Sequence, residues 1–93
     1  MEEKEPYFSI TLNKDDYEYI LKETFVNPKV FGLGKVSGSK ITFQLSLNDI
    51  ESIQGFIAAE ANHAKDRKIG NELDRLFDIF QEYLDKYYDQ EEI

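Results

Sequence analysis

An acid and an imidazole lie three residues apart in the segment Glu60-Ala61-Asn62-His63, and their types could support metal binding or proton transfer. On a helix this spacing places Glu60 and His63 on one face, as in the Glu-x-x-His half-motifs of di-iron bundles. Those sites need a second copy of the half-motif and further carboxylates, whereas the chain has one histidine and no cysteine. The pair therefore indicates a weak metal or acid/base candidate. The simpler interpretation is an ion pair near the C-terminal end of a helix, where a cationic histidine is favoured.

A second candidate is the basic, glycine-rich stretch from Gly32 to Lys40, which has the composition of a phosphate-binding loop. Such a loop requires the pattern G-x-x-x-x-G-K-[ST] between a strand and a helix. Here Gly38-Ser39-Lys40 has the opposite order and leads into a predicted strand. We therefore favour a flexible hairpin with solvated lysines, and we expect no cofactor.

Acidic residues near the end of the chain follow helical spacings of three and four. They are Asp74, Asp78, Glu82, Asp85 and Asp89. Like charges at positions i and i+4 destabilise a helix by about 0.2–0.5 kcal/mol per pair. The acidic row is either a solvated face that keeps the chain soluble, or a docking face for a basic partner or for the Lys35 region of a second copy. It is not a calcium loop, because no D-x-[DN]-x-[DN]-G pattern occurs.

Apolar and aromatic residues beside the acidic row widen the apolar face of the same predicted helix. Exposed aromatics flanked by charges are typical of the centre of an interface, and tyrosine is enriched there. The sequence therefore predicts a protein interface, and the alternative is a set of scattered surface residues. The predicted interface residues are Ile79, Tyr83, Tyr87, Tyr88, Asp78 and Glu82.

These candidates belong to a chain of 93 residues with a formal net charge of −8 and 14% aromatic residues. This length predicts a single domain over residues 1–93, with residues 1–6 and 90–93 as disordered tails. Small domains bury a limited share of their surface, so a homodimer would cover apolar area left over. The negative charge makes nucleic acid an unlikely partner. The charge is uneven, because residues 22–48 carry four lysines and one acid.

The location of the protein is inferred from segments that the sequence lacks. The first residues, MEEKEP, have neither the basic nor the apolar region of a signal peptide. No apolar run approaches the roughly 18 residues that span a bilayer. We therefore expect a soluble, cytoplasmic protein that does not contact a membrane.

The periodicity of apolar residues predicts an α+β fold with the element order β-α-β-β-α-α, in which a three-stranded sheet packs on helices. Residues 8–12 alternate as the first strand. A helix with the N-cap Asn13 follows and ends at Asn27, before Pro28. Residues 30–47 form a hairpin around the turn at residues 37–39. The buried side of the first helix is predicted to hold Tyr17, Ile20, Leu21 and Phe25.

A helix hairpin is predicted to complete the domain. Its first helix starts at Asp49 after the N-cap Asn48, in an Asn-x-x-Glu capping pattern. Its second helix runs over residues 67–89 with Asp66 as the N-cap. A break at residues 64–66 is preferred, while a break at Gly70 and a continuous helix over residues 49–89 are the alternatives. The apolar stripe of the second helix comprises Ile69, Leu73, Leu76, Phe77, Phe80, Leu84 and Tyr87.

Two functions are compatible with these observations. The first is a non-enzymatic protein–protein interaction or regulatory module that self-associates through its C-terminal helices or binds a basic partner. The second is a small metal-dependent or acid/base enzyme that uses Glu60 and His63. An enzyme of this size normally concentrates histidine, cysteine or inward-facing carboxylates, so the sequence favours the interaction module.

Overall fold

Three strands and four helices are found in the computed structural model, which describes the backbone of residues 7–91 and the side chains of residues 7–87. In chain order they are β1 (Tyr7–Asn13), α1 (Lys14–Glu23), α2 (Pro28–Phe31), β2 (Lys35–Ser37), β3 (Lys40–Ser46), α3 (Leu47–His63) and α4 (Arg67–Glu91). The predicted α+β class and element order are confirmed, with α2 as an additional short helix. The tail predicted at residues 1–6 lies outside the described residues, as do the last two residues of the tail predicted at residues 90–93, while α4 continues to Glu91.

The sheet has the order β1-β3-β2, and both strand pairs are antiparallel. Ile10 lies opposite Phe43 and Leu12 lies opposite Ile41, so their side chains share one face of the sheet. The other face is polar. There the hydroxyl oxygens of Thr11 and Thr42 are 2.9 Å apart. The alternation predicted for β1 and β3 thus produces a sheet with one apolar face, which the helices must cover.

The core forms where helices α1, α2, α3 and α4 meet this apolar face. An aromatic cluster joins Tyr17 and Phe31 to Phe43 of β3, with ring centroids 4.9–5.0 Å apart. Such aromatic contacts contribute beyond the burial of their area. The buried hydrophobic residues are Ile10, Leu12, Ile20, Val26, Phe31, Ile41, Phe43, Leu45, Ile50, Ile53, Ile57, Leu73, Leu76, Phe80 and Leu84.

Helix α1 ends at Glu23, so the predicted end at Asn27 is wrong. The Thr24 hydroxyl donates to the Ile20 carbonyl at 2.7 Å and accepts the Val26 N–H at 3.2 Å. A threonine side chain that bonds its own backbone competes with helix continuation. As a result Val26 is buried, whereas Phe25, predicted to be buried, is 82% exposed.

The first strand of the predicted hairpin, over residues 30–36, is wrong for most of its length, because Val30 and Phe31 belong to α2 and residues 32–34 form a loop. Pro28 occupies the start of this helical turn, where its missing N–H costs nothing, and the Asn27 carboxamide accepts the Lys29 N–H at 2.9 Å. Strand β2 is therefore restricted to Lys35–Ser37, and the hairpin spans residues 35–46. Gly34, just before β2, is closely packed against β3. A Cβ at this position would lie 2.6 Å from the Ile41 side chain and 2.7 Å from the Phe43 side chain.

Helix α3 begins two residues earlier than predicted, and its N-cap is Ser46 instead of Asn48. The Ser46 hydroxyl accepts the Asp49 N–H, and the Asp49 carboxylate accepts the Ser46 N–H, each at 3.1 Å. This reciprocal capping box satisfies two backbone donors that the first turn leaves unpaired. The pattern Ser-x-x-Asp, which lies across the end of β3, thus defines the start of α3.

The break between the last two helices lies at residues 64–66, as preferred, and the alternative of one continuous helix is wrong. The Asp66 carboxylate accepts the Lys68 N–H at 2.8 Å at the start of α4. Across the hairpin, the Gln54 amide donates to the Phe77 carbonyl at 3.3 Å and to the Gln81 carboxamide at 3.2 Å. These contacts fix α3 against α4.

The capping box at the start of α3 can be tested with Ser46→Ala. We expect this substitution to lower the free energy of unfolding by about 1 kcal/mol, because it removes the acceptor for the Asp49 N–H. Asn48→Ala is the matched control. Asn48 is exposed, so its effect should stay within about 0.5 kcal/mol. Urea denaturation measures both, and a larger loss for Asn48→Ala would contradict the assignment.

Candidate interaction surfaces

Three of the residues predicted to form an interface on α4 contact other parts of the same chain. Ile79 and Tyr83 are half-buried and pack against the core. The Thr11 N–H of β1 donates to the Tyr83 hydroxyl at 3.3 Å. The Tyr87 ring meets Phe8 edge to face, with centroids 5.2 Å apart. The apolar face of α4 is wide because this helix packs against both α3 and β1.

The acidic members of the predicted interface face solvent, unlike the three residues above. Asp78 and Glu82 are exposed, and neither forms an ion pair with a described residue. Asp74 and Asp85 are also exposed, so the described part of the acidic row faces solvent. The side chains of Tyr88 and Asp89 lie outside the described residues. An interface at Asp78 and Glu82 therefore stays a prediction.

One arginine of α4 pairs with two carboxylates, and one of them, Asp16, connects α4 to α1. The Arg75 guanidinium contacts Asp16 and Glu72, each at 2.8 Å. The hydrogen bond from Arg75 holds the pKa of Glu72 below its ordinary value of 4.5. The hydrogen bonds to Glu72 and then to Asp16 raise the pKa of Arg75. Nearby, burial and then the charges of Glu23, Glu72 and Asp66 raise the pKa of Tyr19. This network is structural, because it joins two helices.

Glu60 and His63 lie in the last turns of α3, where Glu60 is half-buried and His63 is exposed. Among the described residues, no group of three or more histidine, cysteine or acidic side chains could hold a metal ion.

The glycine-rich stretch contains the turn between β2 and β3. Gly38 adopts the left-handed conformation, with φ of 62°, and Ser39 leads directly into β3. Lys35 and Lys40 are exposed on the hairpin. This geometry is the predicted hairpin with solvated lysines, and the strand-to-helix junction of a phosphate loop does not occur there.

The outer face of α3 is a surface that the sequence reasoning did not single out. We define it by Ser52, Gly55, Phe56 and Ala59, which line a shallow apolar depression of about 350 Å³. Phe56 is 41% exposed, and no neighbouring atom of the described residues lies within 4 Å of the position that a Gly55 Cβ would occupy. The sequence feature that could have indicated this face is Gly55, a glycine in the helix interior that lies three residues after Ser52 and four residues before Ala59.

No protein-family model, curated protein or solved structure matches this chain. Among the described residues, no helix combines the length and the apolar character needed to cross a membrane.

The Arg75 network predicts a pH-dependent contribution from Glu72. Since the folded-state pKa of Glu72 is lowered, its carboxylate stabilises the fold above about pH 4.5, and this contribution is lost as the pH falls through the folded-state pKa. Glu72→Gln should therefore destabilise the protein at pH 7 and lose this effect in acid. Chemical denaturation at several pH values measures the difference.

Glu18→Gln is the control for this measurement. Glu18 is exposed on α1 and forms no ion pair with a described residue. It should show little of this pH-dependent loss, and added salt should reduce the effect of Glu72→Gln. An equal pH dependence in both variants would contradict a specific role for the Arg75 contact.

Proposed function

We propose that the protein is a non-enzymatic interaction module that forms a homodimer through its C-terminal helices, with the outer face of α3 at the centre of the contact. The observation that supports this proposal is the exposed Phe56 ring next to Gly55, in a depression whose lining residues carry no charge. A chain with net charge −8 repels its own copies. An uncharged apolar face is where two copies approach each other with the least repulsion.

Gly55 supports a close helix–helix contact. A glycine in a helix interior costs about 0.5–1 kcal/mol relative to alanine. Within the described residues nothing lies near a Cβ at this position, so packing of the single chain does not require the glycine. A second helix that approaches the backbone closely would require it, because ridges of one helix pack into grooves of the other.

A two-fold arrangement of α3 uses this face symmetrically. With two α3 helices crossing near Gly55, the Phe56 ring of each copy lies over the space that the glycine of the other leaves open. Such an interface is self-complementary, as closed dimers require. Ser52 and Ala59, one turn away on either side, are small enough to leave the crossing point accessible.

The acidic row of α4 gives the same module a second, polar surface. Asp74, Asp78, Glu82 and Asp85 are exposed on the solvent side of α4. In the homodimer this row remains free to bind a basic partner, which would relieve repulsion between like charges four residues apart. This surface is the basis of the regulatory part of the proposal.

Self-association is tested with Ala59→Glu in sedimentation equilibrium. We expect wild type to form a concentration-dependent dimer and Ala59→Glu to raise its dissociation constant about tenfold or more, because two carboxylates would enter an uncharged contact. Asn71→Glu introduces the same charge at an exposed position of α4 and should leave the dimer unchanged. A strictly monomeric wild type at high concentration would refute the proposal.

Gly55→Ala provides a second test, which separates folding from association. We expect it to raise the free energy of unfolding of the monomer by about 0.5–1 kcal/mol while it weakens the dimer, because the added methyl group blocks the crossing point. Gly70→Ala is the control. A Cβ there would lie 3.7 Å from the Ala64 Cβ, an ordinary contact, and should not affect association. Unchanged dimerisation of Gly55→Ala would contradict the crossing at Gly55.

A further inference from the structure

A second surface with a different chemistry lies around α2. We define the α2 surface by the residues that line a shallow depression of about 380 Å³: Tyr17, Pro28, Lys29, Gly32 and Leu33. Gly32 ends α2 in a positive-φ conformation, with φ of 70°, and the next residue, Leu33, is fully exposed. An exposed leucine beside a tyrosine and a proline gives this depression an apolar lip.

The end of α1 exposes another large apolar residue near α2 in the chain. The Thr24 hydroxyl ends α1, and Phe25 then lies 82% exposed, two residues before the Asn27 N-cap of α2. A large exposed apolar side chain is unremarkable when it is isolated. Here Phe25 precedes α2 and Leu33 follows it in the chain, and Leu33 lines the depression.

The charge of this segment is opposite to that of the rest of the chain. Residues 22–40 carry four lysines and one acid, a formal charge of +3, so the remaining residues carry −11. All four lysines are exposed, and none forms an ion pair with a described residue. Lys29 lies in the wall of the depression itself. The lysines are Lys22, Lys29, Lys35 and Lys40.

We propose that the α2 surface binds an acidic segment of a partner protein that carries an apolar anchor residue. The anchor lies in the depression against Leu33 and the Tyr17 ring, and carboxylates of the segment pair with Lys29. The other lysines attract the segment over a longer range and raise its association rate. This binding site is separate from the outer face of α3 and does not require the dimer.

Charge distribution favours an acidic protein segment over a nucleic acid. The residues outside the basic segment carry −11, so an extended polyanion that continued beyond Lys29 would meet a chain that is mostly acidic. Salt screens charge repulsion beyond about 8 Å at physiological ionic strength, but a polyanion lying directly on acidic surface is within that distance. A short acidic segment can pair with Lys29 and end there, and its apolar anchor uses Leu33, which offers nothing to a phosphate.

The test uses the full chain labelled with nitrogen-15 and titrated with an acetylated acidic octapeptide that has a central leucine–phenylalanine pair. We expect amide shift changes concentrated at Lys29 and Leu33. The double variant Lys29→Glu with Leu33→Ser should weaken binding about tenfold or more. Both side chains are exposed, so thermal melting should show that the variant remains folded.

Three controls decide the outcome. Lys68→Glu makes the same charge change at an exposed lysine of α4 and should leave the affinity nearly unchanged. A peptide with two alanines in place of the leucine–phenylalanine pair should bind more weakly, because it lacks the anchor. Absence of binding, equal weakening by Lys68→Glu, equal affinity of the alanine peptide, or equal affinity for an oligothymidine would each overturn the proposal.

Discussion

Burial of one face of the β1–β3 pair is the interaction on which the positions of all the helices depend. Phe43 and Leu45 of the central strand lie beside Ile10 of the edge strand, and together they make a continuous apolar surface. Water must be excluded from that surface, and the helices can do this from only one side because the opposite face is polar. Helix α3 therefore directs Ile50, Ile53 and Ile57 inward, and Phe56, one residue earlier than Ile57, remains on its outer face. The exposure of that face follows from the burial of the other.

Gln54 gives the helix hairpin a single arrangement. Its side chain is only 7% exposed, and its amide nitrogen reaches both a backbone carbonyl and a side-chain oxygen of α4. A shift of α3 along α4 by one turn would leave this buried donor unpaired, at a cost of about 1–3 kcal/mol. Apolar packing alone tolerates such a shift more easily, because aliphatic contacts are not directional. The hydrogen bonds of one buried amide thus give the apolar contact between the two helices a defined register.

Much of this fold could be predicted from periodic patterns in the sequence. Features that depend on a contact between distant residues could not. The alternation in β1 and β3 and the stripe of α4 repeat many times, so each has only one consistent interpretation. The end of α1 depends on a single hydroxyl, that of Thr24, and α2 depends on one proline and one capping side chain. At the candidate interface, nothing in the sequence indicated that the Tyr83 hydroxyl has a hydrogen-bond partner in the same chain, because that partner, Thr11, is 72 residues away. The exposed acids could be predicted, and the intramolecular use of the tyrosines could not.

The contact between Tyr83 and Thr11 has a consequence for the behaviour of the protein at high concentration. An edge strand with free N–H and carbonyl groups is a template on which further strands can add, and such growth leads to fibrils. The Tyr83 hydroxyl accepts a hydrogen bond from the outward-pointing N–H of Thr11, and the Tyr87 ring lies against Phe8 on the same strand. The last turns of α4 therefore shield the edge of β1. We expect that proteolytic loss of these turns would convert a stable domain into an aggregation-prone one, even though most of the core would remain.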